Sequence, residues 1–338
     1  MDLMAKQTKR KSRRKWHIFL LVVVSFLLAL AIGILCLMSK INTVSLNMDN
    51  VAVNDFDKSE LEGTTNIAIF GVDSRESDLT SATRSDTIMI CSINNKTKDV
   101  KLVSVYRDTL ADVDGTFRKI NAAYAKGSYE LALSTLNKHF DLDLRNFITV
   151  NFSAVTNVVN KIGGVEIKIE EDEINALNKN IKDCNKLNQT NSPKITKPGT
   201  YTLDGTQALA YARIRKTAGS DFRRTARQRT VIEAILKKAK DTSLISLAGI
   251  VNDMLSQVAT SYNMFDLLML AKDVSKYTIV EQSGFPFNYR DAYVNRAAVL
   301  VPDTLTKNVI KLHKYLYGTE GYEPSSTVRT ISKKLTAY

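Results

Sequence analysis

Short runs of β-branched and other apolar residues recur through the middle of the chain, separated by polar stretches rich in turn-forming residues. Runs of this length and composition are typical of β-strands, because branched side chains pack well on a pleated surface. They predict five strands, over Asn66–Val72, Thr87–Ile93, Lys101–Tyr106, Phe147–Phe152 and Val165–Ile169.

Apolar residues take a helical spacing between these strands. Positions i, i+3, i+4, i+7 and i+11 are apolar from Tyr129 to Phe140, which predicts an amphipathic helix. A second helix is predicted over Ala154–Ile162, and a third runs from its capping residue Asp204 to Tyr211. Strands that alternate with helices in this way indicate a layered α/β or α+β domain.

The C-terminal third has a different pattern of apolar and polar residues. From Leu244 onward the pattern is mostly helical, with one strand or loop near Tyr277–Phe287. No internal repeat is visible, and no linker is long enough to divide residues 61–338. These residues are therefore predicted to form one domain.

The longest apolar run lies near the N-terminus. Trp16–Met38 contains 23 residues without Asp, Glu, Lys or Arg, which is enough for a helix to cross the hydrocarbon core of a membrane. Seven Lys and Arg residues precede it, so the positive-inside rule places the N-terminus in the cytoplasm and the remainder outside. The predicted organisation is a cytoplasmic tail (1–15), a transmembrane helix (16–38), an extracytoplasmic stalk (39–60) and the domain.

Two other interpretations of this terminus are weaker. A cleaved signal peptide has a shorter apolar run, and no clear A-x-A site follows Met38. A nucleic-acid-binding patch would explain the basic tail, but its position directly before the apolar run favours a topology signal. No nucleic-acid partner is expected.

Composition excludes several classes of protein. The 338 residues carry 47 Lys and Arg against 35 Asp and Glu, a net charge of +12, with only three His and three Cys. Zinc clusters and disulfide-rich scaffolds need more His or Cys than this. The motifs GxxxxGK[ST], HExxH and GxSxG are absent from the sequence. The chain therefore lacks the residues required for P-loop nucleotide binding, zincin chemistry and a hydrolase nucleophile elbow.

Carboxylates stand where one predicted strand ends and the next begins. In FGVDSRESDLTSATRSD, residues 70–86, Asp73 follows the first strand and Asp86 precedes the second. Paired carboxylate oxygens suit Mg²⁺ or Mn²⁺, which keep water ligands that a phosphate can displace. A solvated loop of mixed charge would give the same pattern. Arg107, in SVYRDT, stands at the end of the third strand. It would either form an ion pair at the rim of the sheet or bind an anion.

A long basic helix supplies further anion-binding candidates. Its apolar stripe, Ile232, Ile235, Leu236 and Ala239, projects back by whole turns onto Gln228 and Arg224. Arg213 and Arg215 lie just upstream and share one face if that segment is extended. Guanidinium groups bind phosphate oxygens in bidentate fashion, so four of them beside a metal ion would suit a diphosphate. A merely cationic helix face is the alternative.

Taken together, the motifs NIAIFGVDSR, RSDTIMICSIN, SVYRDT, KINAAYAKGS, GTYTLDGTQALAYARIR and DFRRTARQR resemble the LytR–CpsA–Psr glycopolymer transferases of bacterial envelopes. The resemblance covers most of the outer part of the chain. It implies an α/β/α-type layered domain with a central mixed sheet, preceded by one transmembrane helix. It also implies transfer of a teichoic acid, capsular or related polysaccharide from undecaprenyl diphosphate to peptidoglycan through a phosphodiester link.

The family also implies roles for individual residues. The aspartates that match Asp73 and Asp86 hold Mg²⁺ in the family. Independently of the resemblance, a carboxylate is expected to take the proton of the acceptor hydroxyl, either Asp86 or Asp108, with Arg107 beside them. The residues expected around the diphosphate are Arg75, Arg84, Arg107, Lys119, Arg213, Arg215, Arg224 and Gln228. The enzyme would be a membrane-anchored phosphotransferase with its catalytic domain outside the cell.

The chain departs from the family pattern at three positions. Tyr106 stands where Pro is usual, and Ser128 replaces the second Gly of a common Gly-Gly. Arg223 occupies a position that is often Gly, which leaves the register of Arg223 and Arg224 open. Three other functions compete with transfer: an envelope-lipid sensor that regulates transcription, a lipid-diphosphate phosphatase and a structural wall anchor.

Overall fold

A computed structural model of the chain describes residues 50–73, 79, 83–215, 220–254 and 257–338. All of these residues belong to one compact unit. The predicted tail and transmembrane helix, and Arg75, lie outside the described residues. Within the described ranges, no helix is both long and apolar enough to cross a membrane.

The described residues form β-strands along most of the chain. Their bounds are β1 (Thr64–Val72), β2 (Ser85–Asn94), β3 (Asp99–Val105), β4 (Leu110–Val113), β5 (Thr116–Lys119), β6 (Asn146–Asn151), β7 (Val165–Ile169), β8 (Gly199–Leu203), β9 (Val258–Thr260), β10 (Thr278–Phe285), β11 (Tyr289–Val294) and β12 (Ala297–Pro302).

Helices connect these strands and close the C-terminal end. They are α1 (Ala122–Phe140), α2 (Phe152–Lys161), α3 (Ile174–Asn188), α4 (Gly205–Ala212), α5 (Ser220–Lys240), α6 (Leu244–Met254), α7 (Met264–Lys272), α8 (Leu305–Tyr317) and α9 (Ser326–Leu335). Short 3₁₀ turns occur at Ser59–Leu61, Glu171–Glu173 and Val274–Lys276.

A mixed six-stranded sheet lies at the centre, in the order β10-β3-β2-β1-β6-β9. Strands β1, β2 and β3 pair antiparallel, as do β6 and β9. Strand β6 joins β1 in parallel, and β10 joins β3 in parallel. The remaining strands form three two-stranded sheets, β4-β5, β7-β8 and β11-β12.

Alternate side chains of the central strands enter two separate cores. Phe70 of β1 and Ile90 of β2 pack in one core with α1, α8 and α9. Their neighbours Ile67 and Cys91 face the other side of the sheet, in a core to which α5 and α7 contribute. This period of two along each strand gives a sheet between helical layers. The predicted layered α/β fold with a central mixed sheet is confirmed.

A third core lies beside the sheet. It joins α2, α3, α4 and the β7-β8 pair, and Val231 and Ala234 of α5 also enter it. The buried ion pair between Arg227 and Glu173, with 2.7 Å between Nε and Oε1, links α5 to the segment before α3. Helix α5 therefore contacts both the sheet and this lateral core.

The five predicted strands are present within a few residues, but the C-terminal region differs from its prediction. Four strands lie there, β9 to β12, where one strand or loop was expected. Strands β11 and β12 form a hairpin whose two turn residues, Asn295 and Arg296, both have positive φ. This is the two-residue turn with left-handed central residues, and it lacks the Asn-Gly signature by which such turns are recognised.

The described part of the predicted stalk, residues 50–60, packs against the domain. Val51 is buried in the core below α1. The amide of Asn54 donates hydrogen bonds to the backbone oxygen of Lys138, at 2.9 Å, and to Asp141 Oδ1, at 2.6 Å. Asp141 also accepts from the backbone N–H of Ser325, at 2.7 Å, so this segment is joined to both α1 and α9.

Candidate active site

An irregularity in the pairing of β1 and β2 positions the first carboxylate. Gly71 faces Thr87 and Val72 faces Ser85, so β2 has one extra residue, Asp86, at this point. Such a bulge redirects a side chain, and bulges are over-represented next to active sites. A Cβ atom on Gly71 would come within 2.8 Å of the Thr87 Cβ atom, so the close approach of the strands requires glycine.

Three guanidinium groups converge on Asp86. Arg107, just beyond β3, donates to Oδ1 at 2.6 Å, and Arg215, beyond α4, donates to Oδ2 at 3.2 Å. Arg224 of α5 donates to the backbone oxygen of the same residue at 3.3 Å. These arginines come from three separate parts of the chain, so only the tertiary fold brings them together.

The chain leaves α4 in a conformation that sends two arginines to one side. Helix α4 begins with a capping box between Asp204 and Gln207 and ends at Ala212. Ile214 is fully buried, whereas Arg213 and Arg215 on either side of it line the same cavity. The Arg213 guanidinium carbon lies 4.7 Å from the centre of the Phe152 ring, a cation–π contact that orients the side chain.

Helix α5 contributes two cavity residues one turn apart. Arg224 is only 2% exposed, and both Arg224 and Gln228 line the cavity. The buried Oε1 of Gln228 has no hydrogen-bond partner among the described residues. Arg223 instead forms an ion pair with Asp172 at 2.7 Å, so Arg224 lines the cavity and Arg223 does not.

The cavity enclosed by these elements has a volume of about 690 Å³. It brings together residues that lie far apart in the sequence. The candidates from sequence that line it are Asp73, Asp86, Arg107, Arg213, Arg215, Arg224 and Gln228. Because arginine does not lose its proton in proteins, the cavity keeps a high density of fixed positive charge at every physiological pH.

One wall of the cavity was not predicted. Helix α3 lines it with Asn175, Lys179 and Asp183, at intervals of four residues. The opposite side of α3 is buried in the lateral core through Leu177 and Ile181. The polar spacing was readable in the sequence, but it is the spacing of any solvated helix face, and only the fold shows that it borders a cavity.

Other candidates do not line the cavity themselves, although Asp108 Oδ2 lies 3.8 Å from Nε of the lining residue Arg107. Asp108 and Lys119 form an ion pair with each other at 2.6 Å between Oδ1 and Nζ, and neither lines the cavity. Arg84 is exposed and is not a lining residue either. Arg75 falls outside the described residues.

The two described cysteines are buried and free. Cys91 lies in the core between the sheet, α5 and α7, whereas Cys184 lies in the lateral core, so they do not form a disulfide with each other. Burial raises the pKa of the Cys91 thiol to about 12. Burial also raises the pKa of Cys184, and the nearby Arg213 partly opposes that shift.

Carboxylates suitable for a divalent cation are present but few. Asp73 and Asp86 line the same cavity, and both offer oxygen atoms. In the described part of the chain, no group of three or more His, Cys, Asp or Glu side chains could hold a metal. The residues fit Mg²⁺, which binds through one or two carboxylates together with waters and substrate phosphates, and they do not form a cage made only of protein ligands.

Fold and cavity together define a class of protein: a layered α/β domain with an arginine-lined pocket. A family model described as the LytR_cpsA_psr family matches residues 36–314. The chain belongs to this family, as its motifs indicated.

Named relatives and a solved structure agree with this assignment. The chain is 33% identical to TagU of Halalkalibacterium halodurans over 56% of its own length and 58% of that protein, and 29% identical to TagT of Bacillus subtilis over 71% and 74%. Both relatives are named polyisoprenyl-teichoic acid–peptidoglycan teichoic acid transferases. The fold also matches the LytR-CPS2A-psr family protein YwtF (TagT) with bound octaprenyl pyrophosphate lipid, with a TM-score of 0.58 and 22% identity over 82% of this chain and 100% of that one.

Proposed function

We propose that the chain transfers a glycopolymer, such as a teichoic acid or capsular polysaccharide, from a polyprenyl-diphosphate carrier to peptidoglycan. The observation that carries this proposal is the convergence of Arg107, Arg215 and Arg224 on Asp86 inside one cavity. Fixed guanidinium groups in this number call for an anion with several charges, and a diphosphate has them. The names of the relatives support the donor and the acceptor.

The reaction is a phosphoryl transfer in which one P–O bond is exchanged for another. An oxygen of a peptidoglycan hydroxyl attacks the phosphorus that carries the polymer. The bond from that phosphorus to the bridging oxygen breaks, and polyprenyl phosphate leaves with the electron pair. A phosphodiester remains between polymer and peptidoglycan, and no nucleotide is consumed. Negative charge spreads over the transferred phosphate and the leaving phosphate, and preorganised guanidinium groups stabilise it there.

Binding of the donor would also release a carboxylate. In the described structure Arg107 and Arg215 each occupy one oxygen of Asp86. Phosphate oxygens compete for the same guanidinium groups, so donor binding frees Asp86 to hold a cation or to accept a proton. Asp86, in the cavity, and Asp108, which pairs with Lys119 and lies 3.8 Å from Arg107 Nε, are both candidates for the general base.

Asp73 and Asp86 are the residues that would hold a divalent cation, Mg²⁺ or Mn²⁺. When bound, this cation would neutralise charge on the diphosphate. The same proposal assigns Arg75, Arg84 and Lys119 to the surroundings of the diphosphate, on the strength of the family motifs. Treatment with a chelator is expected to abolish transfer, and added Mg²⁺ or Mn²⁺ to restore it. Full activity after exhaustive chelation would remove the metal from the account.

The wall formed by α3 would contact sugar. A cavity of about 690 Å³ has room for more than a diphosphate, and the exposed Asn175, Lys179 and Asp183 offer donors and acceptors of both charges. Such a mixed polar surface suits the hydroxyl groups of a glycan. These polar residues do not indicate one particular polymer. Selectivity among polymers would therefore depend on the shape of this rim.

The proposal includes a location. Trp16–Met38 would span the cell membrane once, with residues 1–15 in the cytoplasm and the catalytic domain outside. Support comes from the 23 uncharged residues and the seven basic residues before them. A polyprenyl carrier is itself a membrane lipid, so an anchored enzyme meets its donor at the membrane surface.

The test is a transfer assay with the full-length protein in detergent or vesicles, a polyprenyl-diphosphate-linked polymer, peptidoglycan oligomers and Mg²⁺. We expect polymer attached to peptidoglycan by a phosphodiester, and polyprenyl phosphate as the second product. Hydrolysis to free polymer phosphate without attachment would identify a phosphatase instead. A stable, inactive variant that changes reporter expression as the wild type does would favour the regulatory alternative.

A further inference from the structure

Three aromatic side chains from separate parts of the chain meet at one end of the central sheet. Tyr106 directly follows β3, Phe222 lies in the first turn of α5, and Tyr289 begins β11. The ring centres of Tyr106 and Phe222 are 4.6 Å apart, those of Phe222 and Tyr289 are 5.2 Å apart, and those of Tyr106 and Tyr289 are 6.4 Å apart. These distances are typical of aromatic pairs in contact, so the three rings form one group, called the aromatic cluster below.

The aromatic cluster is separate from the hydrophobic interior. None of its side chains belongs to the three cores of the described residues, and each remains partly exposed. The ring of Tyr106 is held against β10, because a Cβ atom on Gly284 would overlap its hydroxyl group. Tyr106 also stands where Pro is usual in the family, so the cluster is a feature of this chain and not of the shared motif. Aromatic side chains that remain accessible in this way are typical of ligand-binding surfaces.

The aromatic cluster borders the arginine-lined cavity. Tyr106 directly precedes Arg107 and Phe222 lies two residues before Arg224, and both arginines line the cavity. In the sheet order β10-β3-β2-β1-β6-β9, the cluster lies at the ends of β3 and β10, whereas the cavity extends to Phe152, directly after β6. A ligand on the cluster would therefore approach the cavity from the side opposite to Phe152.

The hairpin that carries Tyr289 also contacts a candidate general base. The backbone N–H of Leu300, in β12, donates to the backbone oxygen of Asp108 at 2.9 Å. The Asp108 carboxylate in turn lies 3.8 Å from Arg107 Nε. Hydroxyl groups of a sugar on the cluster would therefore lie near this carboxylate and near Arg107.

Arg229 adds a positive charge beside the cluster. It lies two turns after Phe222 and therefore on the same face of α5. Its Nη1 donates to Ser104 Oγ at 2.7 Å, and its buried Nε has no hydrogen-bond partner among the described residues. Burial raises the pKa of Tyr106 and the charge of Arg229 partly opposes that shift, which shows that the two side chains are close.

No carboxylate of the described residues pairs with Arg229. Glu233, one turn further along α5, accepts a hydrogen bond from Gln282, and Glu281 of β10 pairs with Lys101 at 3.5 Å. Burial lowers the pKa of Arg229, because a partly buried guanidinium without an acidic partner is poorly compensated. A carboxylate on a bound ligand would supply that partner, in the bidentate geometry that guanidinium groups favour.

We propose that the aromatic cluster and Arg229 bind the acceptor, a strand of peptidoglycan. The rings would pack against the apolar C–H face of one sugar, while Arg229 pairs with a carboxylate of the attached peptide or lactyl group. A few charged groups beside an aromatic surface are what orients such a ligand. This inference rests on the proposed function, in which peptidoglycan is the acceptor, and it leaves the α3 wall to the polymer of the donor.

The test measures binding of the acceptor in the absence of the donor. Full-length protein in detergent is titrated with a soluble peptidoglycan fragment of two disaccharide-peptide units, and separately with chitotetraose, which has similar sugars but no carboxylate. The variants are Tyr106→Leu, Tyr289→Leu and Arg229→Gln, with Tyr106→Phe as the conservative change. The matched control is Tyr293→Leu, because Tyr293 is 82% exposed on the same hairpin but lies outside the cluster. Binding of a short-chain polyprenyl diphosphate reports whether the cavity is intact.

We expect the wild type and Tyr293→Leu to bind the fragment equally. Each leucine variant in the cluster should bind it about tenfold more weakly, a typical cost of removing an aromatic anchor from a binding site. Tyr106→Phe keeps the ring and should stay within a few-fold of wild type. Arg229→Gln should weaken binding of the fragment but not of chitotetraose, and no variant should lose affinity for the lipid diphosphate.

Equal affinity of the wild type and the leucine variants for the fragment would overturn the proposal. So would a parallel loss of affinity for the lipid diphosphate, since the cluster would then only support the cavity. An Arg229 variant that loses both saccharides equally would overturn the carboxylate contact. Leucine variants that transfer polymer with an unchanged KM for peptidoglycan refute the acceptor site alone, whereas a wild type that binds the fragment but transfers nothing refutes the proposed function.

Discussion

Arg107 donates a hydrogen bond of 2.6 Å to Asp86, although 21 residues separate them in the chain. The contact joins the end of β3 to the bulge at the start of β2. Arg215 holds the other oxygen of the same carboxylate. Because these charges are already positioned before the donor arrives, little reorganisation is needed when phosphate replaces the carboxylate as their partner.

Replacing Asp86 by Asn should slow transfer without unfolding the protein. Asparagine keeps the shape but loses the charge that orients Arg107 and Arg215 and can accept a proton. We expect kcat to fall by about 10²-fold or more, the range found when one group of a preorganised site is removed. Asp114→Asn is the matched control, because Asp114 is exposed and pairs with Lys126 at 3.3 Å, away from the cavity lining. Similar losses in both variants would contradict the assignment.

Substitutions of the adjacent residues Arg223 and Arg224 should differ sharply in their effect on transfer activity. Arg224 is buried at the cavity, whereas Arg223 pairs with Asp172 at the surface. Arg224→Ala should therefore reduce kcat/KM for transfer by about 10²-fold or more, since a charge-assisted donor to phosphate is lost. Arg223→Ala should stay within a few-fold of wild type. The kinetic constants of the two variants, measured side by side, decide the register, and a larger loss at Arg223 would reverse it.

Ser128 is strained. It has φ of +53° and ψ of −151° at a kink in α1, a region of backbone conformation that essentially only glycine adopts. Its buried hydroxyl also lacks a hydrogen-bond partner among the described residues. Ser128→Gly should raise the free energy of unfolding by about 1 kcal/mol. Urea unfolding checks this, with Ser134→Gly in a regular part of α1 as a control that should destabilise. A destabilised Ser128→Gly would show that this strain is absent.

Stability should fall in mild acid because of His139. This buried side chain accepts a hydrogen bond from the backbone N–H of Asp112 at Nε2, and burial lowers its pKa from 6.5 to about 4. Between these two values the unfolded chain binds a proton that the native protein does not. The stabilising contribution is thus complete above about pH 6.5 and decreases as the pH falls towards 4.

On this basis the free energy of unfolding should drop by on the order of 2 kcal/mol between about pH 7 and pH 5 through His139 alone. The measurement is urea unfolding at both values for wild type and His139→Gln. The variant is less stable at neutral pH but should show a smaller pH dependence. Equal pH dependence in the two proteins would mean that His139 does not titrate in this range.

Sequence patterns predicted the layers and much of the cavity, for physical reasons that can be named. Strands β1, β2 and β3 are buried on both sides, so their apolar runs are unambiguous. Projecting the apolar stripe of α5 back from Ile232 by whole turns reached Gln228 and Arg224, because helical periodicity holds over two turns. Asp73 and Asp86 line one cavity because antiparallel neighbours bring the end of one strand beside the start of the next.

The features that were not predicted depend on tertiary contacts. Strand β11 contains only partly buried and exposed residues, and the turn between β11 and β12 at Asn295 and Arg296 has no glycine. The segment around Asn54 has no periodicity because it binds through individual hydrogen bonds. The α3 wall has the composition of any solvated helix. Asp108 and Lys119 pair with each other beside Arg107, a contact that their motifs did not indicate.

The central claim is that the guanidinium groups around Asp86 bind a diphosphate. Equilibrium binding of a short-chain polyprenyl diphosphate and of the matching monophosphate to the full-length protein tests it most directly. The account predicts that the diphosphate binds at least tenfold more tightly, and that Arg107→Ala and Arg215→Ala each remove most of this preference, while Arg223→Ala retains it. Equal affinity of the wild type for both lipids, or an unchanged preference in the Arg107 and Arg215 variants, would contradict it.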